Sequence, residues 1–443
     1  MGFADPLPPS PRAAARGSFA CVLLLCGFAA ATAAVAGSGD APVPLTALLA
    51  EAARNSPALD AARQRALAAR ARVAPAGALD DPMFEAGIVN AALSPLSLRR
   101  EDMSMQMVGL GQRLPFPGKR ALRSAVAEAG AAAQDAGADD AQDRLIRDIR
   151  EGYEELATVA SLHTIVESTR TALAEYVSVA EARYATGSAT QSDILQADAE
   201  LARVRAELLA LDRRRIEAQM LLAALVGRDP GAPPIVATPQ RLTAPPHDIE
   251  TLMQTATTSP RFIELAQESR QAQESVALAR REYYPDVDLR LQYGRRERSL
   301  DGLPRDDMIT LTFAVNLPVW RRQRLEPRVA EARAMVAERA AMERAQALET
   351  RAQIARGHAA ATQARRTVEL CDTALLPTSA AAVNATLAAY RNGQVGFATL
   401  LEARLKLHEA EATRVAAIGE HNRAVAELDY LTGHRPGPLE ETP

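Results

Sequence analysis

The chain has 443 residues, a formal net charge of -4 and only 4% aromatic residues. A charge this close to zero leaves no electrostatic footprint for nucleic acid, so a nucleic-acid partner is not expected. Few aromatic side chains and abundant alanine favour long helices packed side by side over a thick globular core. The six histidines show no paired metal-ligand spacing and no catalytic motif is present, so we predict neither an enzyme nor a bound cofactor or metal.

The first 36 residues are predicted to be a secretory signal peptide. Positive charge precedes an apolar stretch, and Ala34-Val-Ala36 has the small residues of a cleavage site. An N-terminal membrane anchor is the alternative, and lipidation at Cys26 is disfavoured by the bulky Leu25 before it. After cleavage Cys371 would be the one remaining cysteine, so no intramolecular disulfide is expected.

Residues 37–227 are predicted to form a first structural unit with one β-hairpin, at 82–113, between helices. The segment from 119 to 183 contains no proline, and a helix of that length would extend about 100 Å. The predicted elements are, in order, a helix over 44–75 with a break at Asn55-Ser-Pro57, strands over 82–90 and 103–113, a helix over 119–183, a turn at Gly187 and a helix over 191–226.

A proline-rich linker, 228–248, precedes a second unit of the same layout over 249–433. Its hairpin is predicted at 285–317 and its loose tail at 434–443. The predicted elements are a helix over 249–281, strands over 285–294 and 308–317, a helix from 328 kinked at Pro377, a turn at 392–393 and a helix over 397–431.

The two units repeat one another in sequence. Ser56-Pro57 returns 203 residues later as Ser259-Pro260, and Tyr184-x-x-Gly187 returns 206 residues later as Tyr390-x-x-Gly393. Further repeated pairs are Leu114-Pro115 with Leu317-Pro318, and Gly227 with Gly433. Matches at a nearly constant offset predict one architecture built from two similar halves.

The strands of the second hairpin alternate in polarity. Apolar residues at 309, 311, 313, 315 and 317 are separated by mostly polar ones, so one face of each strand is apolar. Such strands suit a transmembrane barrel around a wet lumen; a soluble sheet with one face on a core is the alternative. Four strands cannot close a barrel, and lipid does not tolerate open edges, so a membrane sheet would need several chains.

The second long helix carries a coiled-coil-like seam of apolar residues separated by arginines. A closed ring of such helices would form a hollow tube. The seam positions are Ala197, Leu201, Val204, Leu208, Leu211, Met220 and Leu225.

Met103, Met105 and Met107 occupy alternate positions and therefore one face of a predicted strand. We interpret them as lipid-facing or interface residues. The alternative is a thioether site for a soft metal such as Cu(I).

Taken with the duplication and the signal peptide, two segments carry a family resemblance. Gln112-Arg-Leu-Pro-Phe-Pro-Gly-Lys-Arg120 and the stretch from Ala182 to Leu195 resemble the TolC-type outer-membrane efflux proteins, and within them the heavy-metal cation branch. The resemblance extends over residues 45–433, nearly the whole chain after the predicted signal peptide.

The resemblance implies a mainly α fold with a small β part, assembled as a homotrimer in the outer membrane of a Gram-negative bacterium. Each chain would give four strands to one transmembrane β-barrel, while its helices would build a periplasmic α-barrel with residues 228–248 at its equator. The trimer would be the exit duct of a tripartite pump, working with a periplasmic adaptor and an inner-membrane RND-type transporter to export heavy-metal cations. A duct for drugs or type I secretion is an alternative, as is a periplasmic coiled-coil adaptor or scaffold.

The resemblance also places the adaptor contact at the helical turns of the periplasmic tip. Glycine would let the backbone reverse there, and Asp193 and Thr399 are expected to cap the following helices. The predicted contact residues are Tyr184, Gly187, Ser188, Thr190, Asp193, Tyr390, Gly393, Val395, Phe397 and Thr399.

Overall fold

A computed structural model of the protein describes residues 42–93 and 96–435. The predicted signal peptide, with its possible lipidation site, and residues 436–443 of the predicted tail lie outside the described residues. The described residues are 70% helical with a small four-stranded sheet, so the predicted mainly α fold with a small β part is confirmed.

Ten α-helices and six strands follow one another in the described chain. The first half contains α1 (Leu45–Asn55), α2 (Pro57–Ala71), α3 (Val73–Gly77), β1 (Met83–Val89), β2 (Ala92–Leu93), β3 (Leu96–Ser97), β4 (Met105–Leu114), α4 (Lys119–Ala185) and α5 (Gln191–Val226). The second half contains α6 (Ile249–Thr255), α7 (Pro260–Arg281), β5 (Val287–Arg295), β6 (Met308–Val315), α8 (Glu326–Leu370), α9 (Leu376–Arg391) and α10 (Phe397–Thr432). Among the described helices, none combines the length and the apolar character that crossing a membrane requires.

Helix α4 has 67 residues and a length of about 100 Å, and more of the other α-helices pack against it than against any other α-helix. It lies along α2, α5, α7 and α10, and α8 lies along α7 and α10. On α5 the buried positions Ala197, Val204, Leu211 and Ala218 recur every seven residues, as in a coiled coil. The predicted seam is therefore right from Ala197 to Leu211 and at Leu225, which packs against a buried cluster. It is wrong at Met220, which is 44% exposed, because the buried stripe continues through Ala218 instead.

Helices α4, α5, α9 and α10 end in the same way, at a glycine in the left-handed region. The glycines are Gly187, Gly227, Gly393 and Gly433, with φ between 67° and 80°. After α4, the Gly187 N–H donates to the carbonyl of Tyr184 (2.9 Å) and the Ser188 N–H to the carbonyl of Arg183 (2.8 Å). This is the Schellman arrangement, which satisfies the last carbonyls of a helix. The repeated glycines are thus repeated helix stops.

The predicted kink at Pro377 takes the form of a π-helical turn over Cys371–Leu375, between α8 and α9. Proline has no N–H to donate to the preceding turn, and a wider turn accommodates that loss without ending the helix. A second π-helical turn, Arg321–Leu325, leads into α8, so the helical segment starts earlier than the predicted residue 328.

The sheet has the order β1-β4-β5-β6 with every neighbouring pair antiparallel. No described strand pairs with the outer edge of β1 or of β6. The small β2–β3 hairpin lies between the strands predicted over 82–90 and 103–113, and it forms a separate two-stranded sheet.

The pairing register divides the four-stranded sheet into an apolar and a polar face, because residues directly opposite each other share a face. Leu291 pairs with both Leu110 and Leu311, and Leu110 pairs with Phe84. The apolar face holds Phe84, Ala86, Ile88, Val108, Leu110, Leu289, Leu291, Tyr293, Ile309, Leu311 and Phe313, with Gln106, Gln112 and Arg295 towards its ends. The opposite face holds Glu85, Arg113, Asp288, Arg290, Gln292, Thr310 and Thr312, together with Met83, Val89, Met105, Met107 and Met308.

Candidate functional site

The α4–α5 turn and the α9–α10 turn lie next to each other, joined by Arg183. The Arg183 Nη1 donates to the backbone carbonyl of Tyr390 (2.5 Å), and its Nη2 donates to the carbonyl of Ser188 in its own turn (2.9 Å). The guanidinium also stacks 4.5 Å from the centre of the Tyr390 ring. One side chain therefore holds the two turns in a fixed relation through hydrogen bonds and a cation–π contact.

Beneath the turns, Tyr390 and Phe397 form the end of a buried core, and each is only 1% exposed. Their rings meet edge to face with centroids 5.8 Å apart. This core joins residues of all four surrounding helices, among them Tyr176, Ala180, Ala197, Val204 and Leu400. Burial raises the pKa of Tyr390, with the nearby Arg183 opposing that rise.

The two repeated tyrosines occupy different environments. Tyr184 is 48% exposed, whereas Tyr390 is 1% exposed beneath Arg183. The offset of 206 pairs Arg183 with Ala389, so the arginine is present in only one copy of the repeat. We infer that the first turn presents its tyrosine to the surroundings, while the second uses its tyrosine as packing.

The helices that follow the turns also begin differently. The Asp193 N–H donates to Thr190 Oγ1 (3.3 Å) and the Thr190 N–H donates to Asp193 Oδ2 (3.2 Å), which together make a capping box for α5. Helix α10 has Gly396 at the N-cap and no side-chain cap. The expectation that Thr399 caps α10 is therefore wrong, because the cap position lacks a side chain and threonine is shorter than the acid or amide the reciprocal bond requires.

The structure brings the predicted contact residues together at one end of the helices, but at different depths. Exposed members are Tyr184, Gly187, Ser188, Thr190, Gly393 and Thr399; half-buried members are Asp193 and Val395; buried members are Tyr390 and Phe397. Sequence reasoning missed two residues, Arg183 and the 61% exposed Leu195. The break in the repeat at Arg183 and Ala389 was the available signal for the arginine.

The turns offer hydrogen-bonding backbone, hydroxyl groups and two exposed apolar side chains, Tyr184 and Leu195. Such a surface is suited to docking another protein. Within residues 42–93 and 96–435, no group of three or more histidine, cysteine, aspartate or glutamate side chains could hold a metal ion.

A family model described as "Outer membrane efflux protein" matches residues 48–228 and 252–434. The chain belongs to the outer membrane efflux protein family. The two matched segments contain the two helical turns, and the family to which this efflux protein belongs is one of the outer membrane of Gram-negative bacteria.

Solved structures of outer-membrane channels have the same fold as this efflux protein. The outer membrane protein VceC from Vibrio cholerae has a TM-score of 0.74 at 22% identity, with 88% of this chain and 96% of that chain covered. The CmeC outer membrane channel of Campylobacter jejuni has a TM-score of 0.75 at 14% identity, covering 88% and 85%. CusC, described as forming a transmembrane channel, has a TM-score of 0.75 at 15% identity, covering 88% and 91%. A search of curated proteins found no match.

Proposed function

We propose that three copies of this chain assemble into a passive exit duct across the outer membrane. The observation that carries the proposal is a four-stranded sheet that has one apolar face and two edges without a partner among the described strands, and that lies at the end of helix α4, which is about 100 Å long. Unpaired edges are not tolerated in lipid. If β6 of each chain pairs with β1 of the next, three sheets of four strands close a twelve-stranded barrel.

The exposure of the sheet supports a lipid-facing wall. Phe84 is 70% exposed, Ile309 74% and Phe313 66%, and all three lie on the apolar face. A contiguous exposed apolar patch of this kind marks contact with a partner or a membrane. The polar face, with its carboxylates, guanidinium groups and threonines, would then line the water-filled passage.

Each half of the chain would supply equivalent parts: one hairpin to the barrel and one long helical hairpin to a periplasmic tube. The irregular segment 228–248 would surround the tube at its equator. The adaptor of a tripartite pump would dock on the exposed part of the two turns, mainly Tyr184, Ser188, Thr190 and Leu195. Tyr390 and Phe397 would shape that surface from beneath.

We further propose heavy-metal cations as the exported substrate, delivered by an RND-type inner-membrane transporter. The support is the resemblance of 112–120 and 182–195 to the heavy-metal branch of the family. The duct itself would contribute no chemistry.

The assembly is tested by purifying the protein from outer membranes in detergent. We expect an oligomer that dissociates on heating and that conducts ions in a planar lipid bilayer. Recovery as a soluble monomer would contradict the channel and favour a periplasmic scaffold.

The adaptor contact is tested by site-specific photocrosslinking at Ser188 in cells, with Arg205 on the exposed flank of α5 as the control position. A crosslink to a periplasmic protein from Ser188 alone supports the proposal.

The substrate class is tested by deleting the gene, which should lower the tolerance of the cells to metal cations. Sensitivity to organic drugs with unchanged metal tolerance would contradict the proposed substrate class.

A further inference from the structure

Met105, Met107 and Met308 lie on the polar face of the sheet, which also holds Met83 and Val89. Met107 pairs with Gly87 on one side and Gly294 on the other, and Gly294 pairs with Met308. Met105 lies two residues before Met107 and so shares its face. The interpretation of Met105 and Met107 as lipid-facing or interface residues stays a prediction: the register puts them with Glu85, Gln292 and Thr310, opposite the face proposed to meet lipid.

The three methionines lie at positions around one glycine, and the Met105 side chain covers it. Gly294 is buried although its strand neighbours are exposed, and a Cβ on it would collide with the sulfur of Met105. Met107 and Met308 flank the same glycine from the two adjacent strands, each about 5 Å away in the sheet. Methionine is long and unbranched, so all three thioethers can meet above the bare backbone of Gly294.

The three side chains are each half-buried, so they are neither sealed in a core nor spread on an open surface. What distinguishes methionine chemically is its soft, polarizable sulfur. Soft thioether ligands select soft ions such as Cu(I), whereas oxygen ligands suit Mg²⁺ and Ca²⁺.

We propose that Met105, Met107 and Met308 form a thioether site for a soft monovalent cation, Cu(I) or Ag(I), on the polar face of the sheet. The site rests on the proposed function only in that this face would line the passage of the duct. All three sulfurs come from a single chain, so binding itself does not require the assembled oligomer. Three weak, uncharged ligands would retain a passing ion briefly and release it, as a conduit requires.

The test is a calorimetric titration of the detergent-purified protein with Ag⁺ in chloride-free buffer. A Cys371→Ala background removes the free cysteine of the described chain, whose thiol would also bind silver. The variants are Met105→Leu, Met107→Leu, Met308→Leu and all three together, because leucine nearly conserves volume while removing the sulfur. Met335→Leu, at a 48% exposed methionine of α8, is the matched control.

We expect the background protein to bind Ag⁺ and not Mg²⁺, and the control to bind Ag⁺ equally well. Loss of a residue that only supports a metal ligand typically lowers metal affinity by roughly 10- to 100-fold. Each single variant loses a direct ligand and should therefore lose at least that much affinity for Ag⁺. The triple variant should not bind Ag⁺ at this site. Gly294→Ala should weaken binding while all three methionines remain, because the added methyl group displaces the Met105 sulfur.

Silver binding that is unchanged in the triple leucine variant would overturn the site. Bilayer conductance of the same samples separates this inference from the proposed function. A protein that conducts but has no methionine-dependent silver binding refutes the site alone. A protein that binds silver through these methionines but forms no conducting oligomer refutes the duct and leaves the site intact.

Discussion

Lys119 Nζ lies 2.7 Å from Asp286 Oδ1, although the two residues belong to different halves of the duplicated chain. Both side chains are almost completely buried, at 5% and 8% exposure. The carboxylate also accepts a hydrogen bond from the Phe116 N–H (2.9 Å), and the ammonium donates to the carbonyl of Tyr284 (2.7 Å). The pair therefore joins the start of α4 to the start of β5, where the helices meet the sheet.

Replacing Lys119 by methionine should destabilise the protein by up to about 3–5 kcal/mol, because it removes the closer of the two cations paired with the buried Asp286 carboxylate and leaves only the half-exposed Arg113, 3.3 Å away. The measurement is the urea midpoint of Trp320 fluorescence. Trp320 is the only tryptophan, and it lines the same roughly 220 Å³ cavity as the ion pair. Replacing the exposed Asp301 by asparagine is the control and should leave the midpoint unchanged. A Lys119→Met midpoint equal to that of the wild type would show that the pair does not stabilise the fold.

The same pair predicts a pH dependence. Burial alone would raise the pKa of Asp286, but the hydrogen bonds from Lys119 and the Phe116 N–H, with the charges of Lys119 and Arg113, lower it below its ordinary value. The carboxylate therefore stabilises the fold fully above about pH 4, and the contribution is lost as the pH falls through the lowered folded-state pKa. Urea midpoints measured from pH 6 downward should show this loss in the wild type and not in Asp286→Asn. Parallel curves for the two proteins would refute the assignment.

Two glycines with the same left-handed conformation should differ in their tolerance of alanine. Nothing lies within 4 Å of a Cβ built on Gly187 (φ 76°), whereas a Cβ on Gly227 (φ 80°) would collide with the Asn55 carbonyl. Gly187→Ala should cost about 1–2 kcal/mol from backbone strain alone. Gly227→Ala should cost about 1–3 kcal/mol more from overpacking. Equal unfolding free energies for the two variants would mean that the contact with Asn55 is absent.

Arg183 should control the distance between the two helical turns. Arg183→Ala removes a charged hydrogen bond across the turns and a cation–π contact, together worth about 2 kcal/mol. Spin labels at positions 188 and 392 should then show a broader distribution of the distance between the two turns, measured by pulsed electron paramagnetic resonance. Arg183→Lys should rescue it only partly, since an ammonium lacks the forked geometry that reaches both carbonyls. Arg205→Ala, on an exposed face of α5, is the control; a distribution unchanged in Arg183→Ala would contradict the role.

The carboxyl group of Glu154 should make the stability of the fold change with pH in the direction opposite to that of Asp286. Burial raises its pKa, against hydrogen bonds from Asn422 and Gln240. The charged form therefore weakens the fold, and the wild type should gain stability as the pH falls through the raised folded-state pKa. Glu154→Gln can still accept from the Asn422 amide (2.9 Å in the wild type) and should be more stable than the wild type at neutral pH. That advantage should disappear near pH 4, and an advantage independent of pH would refute the explanation.

Much of the fold was predictable because its signals are local. A glycine ends a helix by adopting a left-handed φ, which depends on that residue alone. Gly187 and Gly393 could therefore be recognised as helix ends without knowing where they lie in the fold. A period of two identifies a strand, and the duplication repeats every such signal. The positions of the two turns of the site were predictable for the same reason. Which residues of those turns are exposed could not be predicted.

The sequence by itself determined the helix stops, the alternation of the strands and the duplication, since each depends on residues that are near neighbours or on identity at a constant offset. Only the tertiary structure decided that Tyr390 is covered while Tyr184 is exposed, that Lys119 meets Asp286 across the two halves, and that Met107 and Met308 flank Gly294. These relations depend on strand register and on which helices pack together. A shift of one residue in register would move every methionine to the opposite face, and no local pattern records that choice.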